Sequence, residues 1–312
     1  MAGFEKLVLV TRRTRLEELI ERFNTRGQAR FYIEHAGGDF TEYEAEHDAY
    51  HRALDQLRRD LELGLPRQTI DRGLVPTYTF TARDLVVTLG QDGLVANVAK
   101  YVGEQPLIGV NPDPLRFDGI LLPFLPGDAR EGAVRVLEGR AMTNAVTLAS
   151  IRLDDGQELL AFNDLFIGTR THTSARYRIR VGGASEAQSS SGVLVSTGAG
   201  STGWMSSVFN MAAGVTAFVG GRSVRPKPMS WEDRRLLFAV REPFISRHSQ
   251  ASIVAGLIDA DEEIVLESLM PSGGVIFSDG IETDFLEFNS GATGHVRRAA
   301  HSARLVIKES RV

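Results

Sequence analysis

Residues 85–100 read Leu-Val-Val-Thr-Leu-Gly-Gln-Asp-Gly-Leu-Val-Ala-Asn-Val-Ala-Lys. The first five have the composition of a short buried strand. Gly90, Gln91, Asp92 and Gly93 then turn the chain, and Leu94, Val98 and Tyr101 resume at helical spacing. A strand that hands over to a helix through glycines makes an anion site. The helix N-terminus offers unpaired N–H groups and a positive dipole end, and glycine lets backbone approach a phosphate. Asp92 adds negative charge where phosphate would sit, which suits a carboxylate that holds a metal ion or takes a proton. The plainer reading of the same residues is a strand–turn–helix with Asp92 as N-cap.

Three further groups could do chemistry. Ser-Thr-Gly-Ala-Gly-Ser-Thr-Gly-Trp, residues 196–204, follows a strand and precedes a helix. Its four hydroxyls and three glycines suit a polar, phosphorylated ligand held by hydroxyls and backbone, or else a flexible turn. Ser201 could alternatively stand in a variant nucleophile elbow, with Asp279 and His295 as acid and base, although it lies beyond the strand end where an elbow wants its serine. Asn163 and Asp164 interrupt the apolar run of residues 159–167. Within a strand they point to opposite faces, and each needs a partner. A sugar diol would serve the carboxylate, while a bulge or strand end is the structural alternative. His47 and His51 stand at i, i+4, but Asp48 occupies the place where a metalloprotease has glutamate. A solvated helix face is expected there, and no metal-ligating set.

These residues need a frame. Residues 6–11 read as a first strand. Leu16, Leu19, Ile20 and Phe23 read as a helix stopped near Gly27, and residues 30–34 as strand-like. A long helix is expected from about Thr41 to Gly64, then strands at 67–74, 85–89 and 106–111. Strands alternating with helices give a parallel sheet with helical crossovers. The texture changes at residues 123–127, Pro-Phe-Leu-Pro-Gly, where a domain boundary is expected. Beyond it the pattern is mostly β with Gly, Asp and Ser turns, apart from a helix near residues 204–211. Residues 185–191 read as a polar loop, and residues 303–308 as a strand returning to the first domain. The expected organisation is an α/β nucleotide-binding domain over 1–127 with the tail 300–312, and a β-rich, sandwich-like domain over 128–299.

Bulk properties narrow the function. The chain has 312 residues, which suits two domains, and a net charge of -5, which does not support a nucleic-acid surface. With no cysteine, thiolate catalysis, disulfides and Cys-ligated metals are excluded. No apolar run approaches the roughly 18 residues of a membrane span. Residues 1–10 enter a strand without signal-peptide organisation, so a cytoplasmic protein is expected.

In their order along the chain, these stretches resemble the NAD kinase family, and more closely its mitochondrial-type branch. Gly90-Gln-Asp-Gly-Leu94 is similar to the family's Gly-Gly-Asp-Gly-Thr. Residues 109–114, Gly-Val-Asn-Pro-Asp-Pro, with Asp118 and Gly119, resemble the branch's Gly-Val-Asn-Thr-Asp-Pro segment. Phe162-Asn163-Asp164 is similar to the Asn-Glu pair. Residues 191–204 resemble the serine/threonine-glycine loop, and Val240-Arg-Glu-Pro243 and Ser278-Asp-Gly280 resemble later landmarks. The resemblance implies a Rossmann-like domain, a β-rich domain and a site in the cleft between them. It implies phosphoryl transfer from ATP, with Mg2+ or another divalent cation, to the 2′-hydroxyl of the adenosine ribose of NAD as substrate. Asp92 would be the base on that hydroxyl or orient it. Gly90, Gln91 and Gly93 would lie beside phosphate, Asn163 and Asp164 would hold NAD, and Thr202, Gly203 and Ser207 would line the adenine or its ribose. Asn111 would shape the cleft floor. A homodimer is implied, with no nucleic-acid or membrane partner. Gln91 and Leu94 replace a glycine and a threonine on the ATP side, and Asp164 is one methylene shorter than glutamate. The alternatives are a catalytically weak NAD(H)-binding sensor or partner protein, and a kinase of the same superfamily acting on a sugar, nucleoside or lipid headgroup hydroxyl.

Overall fold

The structure, a computed structural model, describes residues 3–222 and 226–308. The chain forms two compact units, Met1–Asn144 with Arg304–Val312, and Ala145–Ala303. No helix among the described residues is long and apolar enough to cross a membrane.

The first unit is built on parallel strands in the order β2 (Arg67–Asp71), β1 (Lys6–Thr11), β3 (Asp84–Leu89), β4 (Pro106–Val110), with the end of β16 (Thr293–Val306) beyond β4. β3 is buried along its whole length, including Asp84 and Thr88 beside its apolar Leu85, Val86, Val87 and Leu89. One core joins Leu7, Leu9, Leu85 and Val87 to Tyr50, Leu54 and Leu57 of α3 (Phe40–Asp60) and to Ala129, Ala133 and Val136 of α5 (Ala129–Leu137). This burial holds α5 in the first unit. The compact units therefore divide between Asn144 and Ala145, not at Gly127 where the proline-rich texture set the expected boundary. α4 (Asp92–Val102) packs on β3 and β4.

Near the N-terminus two expectations change. α1 (Arg15–Phe23) ends at Asn24 in the left-handed conformation, not at Gly27. Residues 30–34, expected as strand-like, belong to α2 (Arg26–His35), which Thr25 caps through Gln28 N–H. Ala29 and Ile33, four apart, pack there with Leu16 and Phe40, a helical spacing hidden among aromatic and β-branched residues.

The second unit is two antiparallel sheets. One is β12 (Ala255–Ile258), β11 (Leu236–Val240), β10 (Val193–Ser196), β7 (Asp164–Thr169), β14 (Gly274–Ser278) and β15 (Ile281–Glu287). The other holds β9 (Ala184–Ser190), β8 (Ala175–Val181), β13 (Ile264–Ser268) and β16, with β5 (Thr143–Leu153) paired to β16 and β6 (Glu158–Ala161) paired to β5. Their inner faces share a core that includes Leu165, Ile167, Val195, Phe238, Tyr177, Ile264 and Val296. α6 (Trp204–Phe218) covers the outer face of the first sheet through Met205 against Leu194, Leu237 and Ala239.

β9 replaces the expected loop at residues 185–191. Its inward residues are polar because they carry hydrogen bonds. Glu186 accepts the Ser252 and Ile253 N–H groups and Gln188 Nε2, and Ser190 Oγ pairs with Tyr177 Oη at 2.7 Å. The run 159–167, expected as one strand, breaks at Phe162 and Asn163 into β6 and β7.

Candidate functional site

In the first unit, β3 ends at Leu89 and α4 begins at Asp92, so Gly90 and Gln91 form the turn. Gly90 N–H donates to Val110 O at 3.2 Å. The turn is tightly packed: a Cβ on Gly90 would lie 2.8 Å from Leu94 Cδ2 and 3.6 Å from Arg12 Cδ. Gln91, not Asp92, is the N-cap, and its side chain makes no capping bond. Asp92 stands at the first helical position, half-buried, and its Oδ1 accepts the Leu121 N–H at 2.6 Å. That bond fixes the carboxylate, and among the described residues its other oxygen makes no hydrogen bond. Gly93 is exposed with open space around it. Leu94 is 1% exposed. It therefore fills the core beneath the turn and offers nothing to an anion above it.

Two residues that sequence reasoning missed brace this turn. Tyr50 Oη donates to Leu89 O at 3.2 Å and accepts the Arg12 N–H at 3.0 Å, and burial pushes its phenol up to about 12. Arg12 lies over the Tyr50 ring and pairs with Glu46 at 2.7 Å. Asn111 ties down the loop beyond β4: Nδ2 donates to Phe117 O, and Oδ1 accepts the Asp113 N–H. Gly119, at φ +65°, passes so close that a Cβ would lie 2.5 Å from Asn111 Nδ2.

In the second unit, the starts and ends of three neighbouring strands meet. Ser196 at the end of β10 is in register with Asp164 at the start of β7, and Ser278 at the end of β14 with Leu165. The hub is Asp279, held at φ +54° in the turn after β14. Its Oδ2 accepts Phe162 N–H at 3.0 Å, and its Oδ1 accepts Asn163 N–H at 2.6 Å and Asp164 N–H at 3.3 Å. These N–H groups are free because the chain leaves the ladder between β6 and β7. Asn163 and Asp164 thus sit at a strand junction, not inside a strand as expected. Thr197 seals the other side, its hydroxyl donating to Phe162 O at 2.6 Å and its N–H to Asn163 O at 2.9 Å.

The serine/threonine-glycine segment folds down on this junction. A Cβ on Gly200 would lie 2.1 Å from Asn163 O, and one on Gly198 would lie 1.8 Å from Ser230 O. Both glycines are therefore demanded by close backbone approach. Ser201 is consumed by the turn, its hydroxyl donating to Gly198 O and accepting Met229 N–H. His295 has both ring nitrogens against Glu263 and Asp154. The alternative of a Ser201–His295–Asp279 elbow is thereby overturned. Thr202, Gly203 and Ser207 are exposed at the start of α6.

Asp164 carries the unusual electrostatics. It is 8% exposed, and its carboxyl makes no hydrogen bond or ion pair among the described residues. Burial, with the charge of Asp279 beside it, raises it to about 7. Such a carboxyl is short of donors, which sugar hydroxyls could supply. On the same sheet face, Phe166 stacks on Trp204 at 5.6 Å between ring centroids, and Arg241 lies over Trp204 at 5.3 Å. With Phe277, Phe285 and Arg170 they line an open pocket of about 830 Å³.

No protein-family model matches the chain. An NAD kinase from Halorubrum lacusprofundi is 28% identical over 190 residues, 58% of this chain and 64% of that protein. The chain thus spans less than two thirds of that relative's length. Among solved structures, yeast NADH kinase complexed with NADH superposes with a TM-score of 0.55 at 17% identity, covering 99% of this chain and 85% of that one. An NAD kinase from Archaeoglobus fulgidus in complex with ATP gives 0.53 at 15% identity, over 97% and 94%. The fold is that of the NAD and NADH kinases, a parallel α/β unit with an antiparallel β-rich unit.

Proposed function

We propose that this protein is an NAD kinase-type phosphotransferase that makes NADP from NAD and ATP. The observation that carries the reading is the junction at Asn163 and Asp164. A buried carboxyl without a protein partner is fixed there by Asp279, beneath a serine/threonine-glycine turn that can approach it only because Gly200 lacks a side chain. In this reading Asn163 and Asp164 hold NAD through ribose hydroxyls, Thr202, Gly203 and Ser207 contact the adenosine, and the aromatic pocket takes a flat ring of the dinucleotide.

The glycine turn and the N-terminus of α4 bind the phosphates of ATP, with Gly90, Gln91 and Gly93 lining that side. Asp92, anchored by the Leu121 N–H, accepts the proton of the ribose 2′-hydroxyl through its free oxygen. The 2′-oxygen bonds to the terminal phosphorus, the bond from that phosphorus to its bridging oxygen breaks, and ADP leaves. Mg2+ would enter with ATP, held chiefly by the phosphates and by water, an arrangement that needs no dedicated protein cage. When bound it would neutralise phosphate charge. The mitochondrial-type affinity rests on the likeness of residues 109–114 and belongs to this proposal, as do a cytoplasmic location and a homodimer. Exposed Met211, Val215 and Phe218 of α6, with Val219 at its C-cap, form one apolar face suited to such a dimer.

The test is to incubate purified protein with NAD, ATP and Mg2+ and to measure NADP with an NADP-specific dehydrogenase. NADP formation supports the reading. No NADP alongside calorimetric binding of NAD would turn the protein into a sensor, and no NAD binding would point to another hydroxyl acceptor.

A further inference from the structure

We propose that Glu17, His47 and His51 form a binding site for a zinc-class divalent metal ion in the first unit, separate from the nucleotide chemistry above. One ligating atom from each lies within 4.8 Å of the others. His47 and His51 share a face of α3 one turn apart, with ring centroids 4.3 Å apart. α1 brings Glu17 against them. The solvated face expected for these histidines is in fact half-buried against α1.

The set is held in place. Glu17 is the third helical residue in a capping box, with Oε2 accepting Thr14 N–H at 2.7 Å and Thr14 Oγ1 accepting Glu17 N–H at 3.2 Å. Its Oε1 lies 3.1 Å from His51 Nε2. Two ligands on one tetrahedral ion at about 2.0 Å sit about 3.3 Å apart, so this pair already has the required spacing. His47 Nδ1 lies 2.8 Å from Thr14 Oγ1. With Nδ1–H donating to that oxygen, Nε2 presents a lone pair, and the ring orientation is fixed as it is for histidine ligands in metal sites. The ligand set of two histidines and one glutamate suits zinc with a fourth position left for water or an anion. That position has room, because Glu17 and His51 border an opening of about 520 Å³. The cations lining it, Arg12 and Arg13, are already paired with Glu46 and Glu21. Bound metal would clamp α1 to α3.

Tag-free full-length protein, stripped with a chelator, is titrated with Zn2+ by calorimetry and with Co2+ by visible absorption. One ion per chain is expected, with Co2+ bands of four-coordinate intensity. Replacing both histidines (His47→Ala with His51→Ala) should weaken Zn2+ binding at least about a hundredfold and remove the bands. Glu17→Gln, which retains the shape of the capping box, should weaken binding about tenfold or more. His295→Ala is the control, because that histidine also faces two carboxylates, Asp154 and Glu263, and it should bind as wild type. Matching circular dichroism in chelator shows that the variants fold. No stoichiometric ion, or unchanged binding in the double histidine variant, overturns the site. Loss of binding in His295→Ala alone overturns it equally. These outcomes are independent of whether NADP is formed.

Discussion

Asp164→Asn should make the protein less sensitive to rising pH. The Asp164 carboxyl moves from 3.8 to about 7 in the folded protein, first through burial and then through the charge of Asp279. A shift of about three units at 1.36 kcal/mol each is about 4 kcal/mol. The folded state keeps a proton that the unfolded chain releases, so this group's contribution is fully present below about pH 4. It is lost as pH rises through about 7. Asparagine has the same shape and no charge to bury. Denaturant unfolding of both proteins near pH 5 and near pH 8 cancels every titration they share. Relative to wild type, the variant should gain about 3 kcal/mol between those two conditions. A difference that does not change with pH would refute the buried, donor-starved carboxyl. In wild type, NAD should bind more tightly as pH rises through about 7, since the ionised carboxylate accepts from both ribose hydroxyls, and calorimetry across that range reads it directly.

Other outcomes follow from particular contacts. Gly200→Ala places a Cβ 2.1 Å from Asn163 O, so it should cost roughly 2–3 kcal/mol in chemical denaturation and weaken NAD binding as the junction shifts. Leu94→Thr, which restores the family residue in the sequence, should destabilise the first unit by about 3 kcal/mol, because the side chain is a buried core leucine. Glu186→Ala strands the Ser252 and Ile253 N–H groups and should cost about 2–3 kcal/mol with no change in the KM for ATP.

Much of this was legible in the sequence where the apolar period was clean. Residues 85–89 are a continuous β-branched or aliphatic run, residues 106–110 are apolar, and residues 41–60 repeat at helical spacing, so the parallel frame around Asp92 could be read directly. Reading failed where polar side chains do the packing. Glu186 and Ser190 face inward because loop N–H groups and Tyr177 satisfy them, Gln188 because its amide donates to Glu186 and Ile253 O, and a hydropathy pattern cannot show such partners. The break in 159–167 was hidden for a similar reason, since it is created by Asp279, more than a hundred residues away in sequence. Asp279 stood as a sequence landmark and as the acid of the elbow alternative, and its capping of three N–H groups needs the register of β7 and β14. Leu94 looked like a change at a phosphate contact, but one buried helical face of α4 claims it for the core.

The most direct test compares wild type with Asp92→Asn in turnover of NAD to NADP, with NAD affinity measured in parallel. Asparagine keeps an oxygen to accept the Leu121 N–H, so the turn should persist while the proton acceptor is lost. The substitution should lower kcat at least about a hundredfold, with NAD affinity held within about tenfold of wild type. Full turnover in the Asp92→Asn protein would contradict it.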